Sequence, residues 1–172
     1  MENNELIKYE GGLVKRVGNA INITNKLLGK NHRPLRILYL DDHLLFSNPI
    51  SKFILERYSE SKIHVVQNGN QALEYVMESI RNNTHLDLII TDFTHPGLNG
   101  VEFSISVREQ EFNNVSTIPI LFITMNGDES LIKQIEEIPS AKYLPKSSSR
   151  EEILLAIDNF INPEMKKNTL LQ

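Results

Sequence analysis

The chain has 172 residues, 40% of them apolar and 23% charged, with no cysteine; this suits one domain with a modest extension and excludes a wholly disordered chain, a disulfide scaffold and cysteine chemistry. Net charge is −4, divided into +3 over residues 1–34 and −7 over the remainder. An acidic body argues against broad binding to a nucleic-acid backbone.

The first element is an amphipathic helix. Leu13, Val14, Val17, Ile21, Thr24 and Leu28 form an apolar stripe at helical spacing, Gly29 is a plausible stop, and Pro34 ends a short polar linker. A helix of this length needs a partner surface. Packing on its own domain is the plain expectation, and a helix that dimerises or docks on a partner protein is the sharper one. Residues 1–34 are therefore read as helix and linker, 35–162 as the main domain, and 163–172 as a frayed tail.

From Leu35 onward short apolar runs alternate with helical patterns. Leu35–Leu40 (LRILYL) reads as a buried strand. Leu44–Tyr58 follows as a helix, Ile63–Val66 as a second strand, and Gln71–Ile80 as a helix with Ala72, Leu73, Val76, Met77 and Ile80 on one face. Leu86–Thr91 is the third strand, and Val101–Glu109 a helix starting after Asn99–Gly100. Ile118–Ile123 is the fourth strand, with Pro119 confined near its start. Asp128 is the expected cap of a helix carrying Leu131, Ile132, Ile135 and Ile138, which Pro139 ends. Ala141–Leu144 is the fifth strand. Ser149 and Glu152 form a capping box for the last helix, lined by Ile153, Leu154, Ile157 and Ile161 and closed by Pro163. This strict alternation predicts a doubly wound α/β fold with a five-stranded parallel sheet covered on both faces. Ligands of such sheets sit outside the carboxyl ends of the strands.

Those ends carry Asp41 and Asp42 after strand 1, Asp92 after strand 3, Thr124 at strand 4 and Lys146 after strand 5. Three neighbouring carboxylates repel one another unless a cation joins them. Hard oxygen ligands with no His or Cys close by favour Mg²⁺. Lys146 suits a carboxylate or phosphoryl oxygen, and the Thr124 hydroxyl can donate to the same oxygen. Together these are parts for stabilising charge during phosphoryl transfer. Taken singly, Asp42 reads as a helix cap, Thr124 as an ordinary strand residue and Lys146 as solvated surface; their coincidence at successive strand ends makes the case.

With LYLDDH (38–43), ITDFTHPGLNG (90–100), LFITMN (121–126) and YLPKS (143–147), the chain resembles the receiver domain of two-component response regulators from Leu35 to about Ile161. The resemblance implies the flavodoxin-like strand order 2-1-3-4-5. It also implies that Asp92 accepts a phosphoryl group from a sensor histidine kinase or phosphotransfer protein. Asp41, Asp42, Asp92 and the backbone carbonyl of Thr94 would hold Mg²⁺, and Lys146 would pair with Asp92 or its phosphate. Thr124 and Tyr143 would be the switch residues, reporting to a protein-binding face formed by the fourth helix, fifth strand and fifth helix. The activity implied is self-phosphorylation and self-dephosphorylation, without turnover of a separate substrate.

Two departures from the family pattern stand out. Met125 occupies a place where a small residue is usual, so its bulk is expected to narrow access to the acceptor. Ser147 stands where proline usually follows a cis bond, so a differently built loop is expected. These motivate a phosphorylation-independent pseudo-receiver adaptor as the alternative. A phosphohydrolase with an Asp nucleophile would need a second Asp two residues on, where Thr94 and His43 stand instead. No G-x-G-x-x-G follows strand 1, which disfavours dinucleotide binding. The residues after Pro163 are too few for a DNA-binding output domain, and MENNELIKYEGG lacks the apolar core of a signal peptide. No apolar run reaches the roughly 20 residues of a membrane span, so a protein contact in the cytoplasm is the expected setting.

Overall fold

The computed structural model describes residues 34–109 and 118–161. The helix expected over 13–28 and the tail from 163 onward lie outside them. Five strands and five helices alternate: β1 (Arg36–Leu40), α1 (Leu44–Arg57), β2 (Lys62–Val66), α2 (Gly69–Arg81), β3 (Leu88–Thr91), α3 (Gly100–Arg108), β4 (Ile120–Thr124), α4 (Glu129–Glu137), β5 (Ala141–Pro145) and α5 (Arg150–Ile161). The sheet order is β2-β1-β3-β4-β5, and every pairing is parallel. The alternation predicted this doubly wound sheet, and the resemblance implied its flavodoxin-like strand order.

Side chains alternate across each strand, so the sheet builds two cores. Leu38, Leu40, Ile89, Ile120 and Phe122 pack with Ala72 and Val76 of α2, Phe103 and Val107 of α3, and Leu131 and Ile135 of α4. Ile37, Tyr39, Leu88, Ile90, Leu121 and Ile123 pack on the other face with Ile50 and Ile54 of α1 and Ile153 and Ile157 of α5. Three helices thus cover one face and two the other. β3 and β4 are buried along their whole length, as continuous apolar runs require, whereas β2 at one edge alternates. On the two-helix face Asp158 of α5 takes a 2.6 Å ion pair from Arg57 and a hydrogen bond from the Tyr58 hydroxyl. Burial first, then Asp158, pushes the Tyr58 phenol above its ordinary pKa.

Several element ends differ from the sequence expectation, each for a local reason. β4 begins at Ile120 because Pro119 has no N–H to give, although its carbonyl accepts from Ile89 (2.9 Å). β3 starts at Leu88, after Asp87 has spent a carboxylate oxygen on the Arg36 amide (2.7 Å). α2 starts earlier, at Gly69, capped by the Asn68 side chain. α1 contains Pro49, which removes one helical donor. Asp128 holds the N-cap position of α4, but its carboxylate makes no cap bond; its own N–H donates to Asn126 Oδ1 (3.0 Å). The Ser149–Glu152 box is present, with Ser149 N–H donating to Glu152 (2.7 Å) and Glu152 N–H to Ser149 (3.2 Å).

A second capping box, between Asn99 and Glu102, opens α3 and fixes the end of the loop that follows β3. Asn99→Ala is expected to lower the unfolding free energy by about 1 kcal/mol, and Asn99→Gly by only a few tenths, in urea unfolding at unchanged slope. No loss for Asn99→Ala would show that the side-chain cap contributes nothing.

Candidate functional site

Parallel strands place their carboxyl ends along one edge of the sheet, and all five candidate residues stand there. Asp41 and Asp42 follow β1, Asp92 follows β3, Thr124 ends β4, and Lys146 follows β5. Asp41 is fully buried, Asp92 is 5% exposed, and Thr124 is 1% exposed. The Lys146 side chain is 2% exposed and its Nζ lies 2.6 Å from Asp92 Oδ2 and 2.9 Å from Asp41 Oδ2. Burial works to lower the ammonium pKa, yet the contacts with Asp92 and Asp41 outweigh it and carry the group above its ordinary value. The same carboxylates lie under Tyr39, whose buried phenol is pushed up first by desolvation and then by their charge.

The other oxygens of these carboxylates are held by backbone. Asp41 Oδ1 accepts from the His43 amide at 2.8 Å. Asp92 Oδ1 accepts from Phe93 N–H at 2.6 Å and, more weakly, from Thr94 N–H at 3.4 Å. Close packing of glycine keeps that loop against the sheet. A Cβ on Gly100 would lie 2.4 Å from the Asp92 carbonyl oxygen, and Gly97 turns the loop with φ +81°. Thr124 Oγ1 accepts from the Asn126 amide at 3.3 Å, while its carbonyl takes the Lys146 N–H at 2.9 Å. Tyr143 is half-buried on β5, opposite Phe122, with its hydroxyl beside Gly127. Thr94 is exposed in the loop after Asp92.

Three features bear on the sequence reading, and the first two differ from it. The expectation that no histidine lies close to the aspartates is wrong. His43 Nδ1 sits 2.8 Å from Asp42 Oδ1, and one ligand atom from each of Asp41, Asp42, His43 and Asp92 lies within 4.8 Å of the others. The signal was present in LYLDDH, one residue beyond the paired aspartates. Second, Met125 is 72% exposed, so most of its side chain meets solvent instead of filling the cleft. Phe46 is the bulky neighbour, its ring 4.5 Å from Lys146 Nζ in a cation–π contact that shields the ammonium. Third, every peptide bond in the described residues is trans. The loop at Ser147 is closed by Ser148 N–H donating to the Pro145 carbonyl (2.9 Å), the differently built loop that serine predicted.

The donor set suits a small divalent cation. Four carboxylate and imidazole groups converge, and Asp42 Oδ1, itself shut off from solvent, accepts no hydrogen bond among the described residues. Chemically, the arrangement offers a buried carboxylate with an ammonium against one oxygen and acidic neighbours that a cation would bridge.

Lys146 is paired with two buried carboxylates, so its removal is costly. With divalent ions chelated, Lys146→Met is expected to lower stability by about 3–5 kcal/mol at neutral pH. The folded-state pKa is raised, so the lysine's contribution is fully present below its ordinary value of 10.5 and lost as pH rises through the folded one. From neutral pH upward, urea unfolding should therefore show a steady gap between wild type and variant up to about pH 10, closing above it. A gap already closing below that point would contradict the assignment.

Comparison with known proteins gives a consistent answer. The family model of the response regulator receiver domain matches residues 37–158. The chain is 28% identical over 127 residues to the glycerol metabolism activator of Pseudomonas putida, covering 74% of this chain and 54% of that protein. It is 27% identical over 108 residues to the two-component response regulator ARR17 of Arabidopsis thaliana, covering 59% of this chain and 68% of that one. The chain thus spans about half the length of the first of these relatives. Among solved structures, a putative response regulator from Chloroflexus aurantiacus superposes with a TM-score of 0.63 at 23% identity, covering 74% of this chain and 98% of that one. The receiver domain of the sensor histidine kinase PA1611 from Pseudomonas aeruginosa, solved with a magnesium ion in its active-site cleft, gives 0.61 at 23% identity, with the same coverage. At these identities the structures speak for the fold. Among the described residues no helix is long and apolar enough to cross a membrane.

Proposed function

The chain belongs to the response regulator receiver domain family of two-component signalling, and on that premise we propose that it is a switch operated by phosphorylation of Asp92. The phosphoryl group would come from a sensor histidine kinase or a phosphotransfer protein in the cytoplasm. The observation that carries this reading is the convergence of Asp92, Asp41 and Lys146 within 2.6–2.9 Å at the sheet edge.

A carboxylate is a weak nucleophile toward a phosphorus that bears anionic oxygens, and positioning with charge neutralisation is what a protein can supply. Asp92 is held for the task by loop amides on one oxygen and by Lys146 on the other. Asp41, Asp42, Asp92 and the Thr94 carbonyl would hold Mg²⁺, which when bound supplies positive charge against the incoming phosphoryl oxygens. Lys146 stays with the acceptor and offsets the charge that accumulates there. Thr124 is next along the edge, with a hydroxyl hydrogen that its contact to Asn126 leaves unused, and it is suited to donate to a phosphoryl oxygen. Tyr143, on the neighbouring strand, would carry the altered state of Thr124 to the face made by α4, β5 and α5, where a protein partner binds.

The observation on the side of a phosphorylation-independent adaptor is the near-complete burial of Asp92, 5% exposed. One experiment separates the readings. Incubation with acetyl phosphate and Mg²⁺ is expected to add a single group of about 80 Da, absent from Asp92→Asn and from chelated samples. An unmodified wild-type chain under these conditions would favour the adaptor, as would partner affinity that Asp92→Asn leaves unchanged.

A further inference from the structure

We propose that His43 is a direct ligand of the cation at this site and shifts its preference from Mg²⁺ toward cations that accept nitrogen, such as Mn²⁺ and Ni²⁺. The inference rests on the reading of Asp41, Asp42 and Asp92 as a cation site.

Geometry carries it first. His43 Nδ1 lies 2.8 Å from Asp42 Oδ1 and 3.9 Å from Asp41 Oδ1. The shorter distance is that of a hydrogen bond, yet Asp42 Oδ1 accepts none: the ring nitrogen and the oxygen face each other without the N–H···O alignment that a bond requires. Two donors bound to one ion at about 2.0–2.2 Å and at right angles stand about 3 Å apart, and such donors point at the ion instead of at each other. The pair has that separation and lacks that alignment.

The backbone explains why the ring is available. His43 occupies the N-cap position of α1 in extended conformation (φ −102°, ψ 92°), and its side chain makes no cap bond. Its amide is tied to Asp41 Oδ1, which fixes the residue beside the buried carboxylates while the ring remains 62% exposed. An arriving cation therefore meets the imidazole on the solvent side and the carboxylates beneath it.

Chemistry then sets the preference. Mg²⁺ favours an all-oxygen shell and keeps several waters, so an imidazole gains it little. Affinity for nitrogen rises from Mn²⁺ to Ni²⁺, and a set of carboxylates with one imidazole suits both better than it suits Mg²⁺. If His43 only oriented Asp42 from outside the shell, its loss would weaken every cation alike.

The test uses the full chain, with Mg²⁺, Mn²⁺ and Ni²⁺ added singly. Calorimetric titration should show His43→Ala losing at least about tenfold in Mn²⁺ and Ni²⁺ affinity, with Mg²⁺ changed less than about threefold. Pulsed electron paramagnetic resonance of the Mn²⁺ complex should show coupling to a coordinated nitrogen in the wild type and none in His43→Gln. Because the wild-type spectrum is decisive alone, a variant that folds poorly leaves the test intact. Mn²⁺ bound without nitrogen coupling, or equal losses for all three cations, would overturn the role of His43. Should the wild type bind no divalent cation, or Asp42→Asn bind as well as wild type, the underlying cation-site reading fails instead.

Discussion

Two carboxylates are shut away from water at the edge of this sheet, and Lys146 is the cation that makes their burial tolerable. An ionised carboxylate transferred into a protein interior costs several kcal/mol even after relaxation, which only close pairing offsets. Asp41 and Asp92 share one ammonium at 2.9 and 2.6 Å, so one positive charge serves two negative ones. The imbalance is a property of the folded state, and Asp42 increases it. A site with surplus buried negative charge is suited to a cation for electrostatic reasons, before any question of catalysis arises.

That pairing depends on the order of the strands. Neighbouring strands lie about 4.8 Å apart, so β5 stands roughly 10 Å from β3 and farther from β1. A short side chain after β5 could not reach Asp92, let alone Asp41. Lysine spans the gap because its stem runs along the carboxyl edge, over the end of β4, with the Phe46 ring against its charged tip. The close approach of Gly100 to the Asp92 carbonyl works from the other side, fixing the loop so that the carboxylate meets the ammonium at 2.6 Å. Sheet order, loop glycine and side-chain length are thus three requirements of one contact.

Much of this could be read in the chain because its signals are local or additive. LRILYL, LDLIIT and IPILFI announce buried parallel strands by composition alone, and the residues that follow them must share an edge whatever the details of packing. Strand ends were less legible, since Pro119 and Asp87 act through hydrogen bonds to neighbouring strands. Asp128 stands at the N-cap of α4 as its position predicts, but whether its carboxylate turns onto the helix amides is a rotamer choice that spacing does not reveal. The position of the His43 ring is not legible for a different reason: sequence spacing shows which residues follow a strand, whereas where a ring lies depends on the torsions of one residue. Phe46 carried no signal at all, since an apolar residue in the first turn of α1 reads as core until Lys146 is seen beneath it.

On the proposed reading, phosphorylation adds about −1.5 to −2 charge and three acceptors where negative charge is already in surplus. The buried parts of the site have little room to respond. Asp41 is locked by the His43 amide and by Lys146, and Asp92 by the Phe93 amide. After the 3.4 Å contact from Thr94 N–H to Asp92 Oδ1, the longest hydrogen bond among these groups is the 3.3 Å one from Asn126 N–H to Thr124 Oγ1, beyond the usual range for an amide donor. It is also the contact whose acceptor can become a donor by rotation of one hydroxyl. On that reading, strain imposed by new charge would relax where restoring contacts are weak, and one such place is the β4–α4 loop, from Thr124 through Gly127 to Asp128. The Tyr143 hydroxyl lies against Gly127 on the far side of that loop. On the proposed reading a displacement of the loop would be felt at this tyrosine, and through β5 at the α4–β5–α5 face.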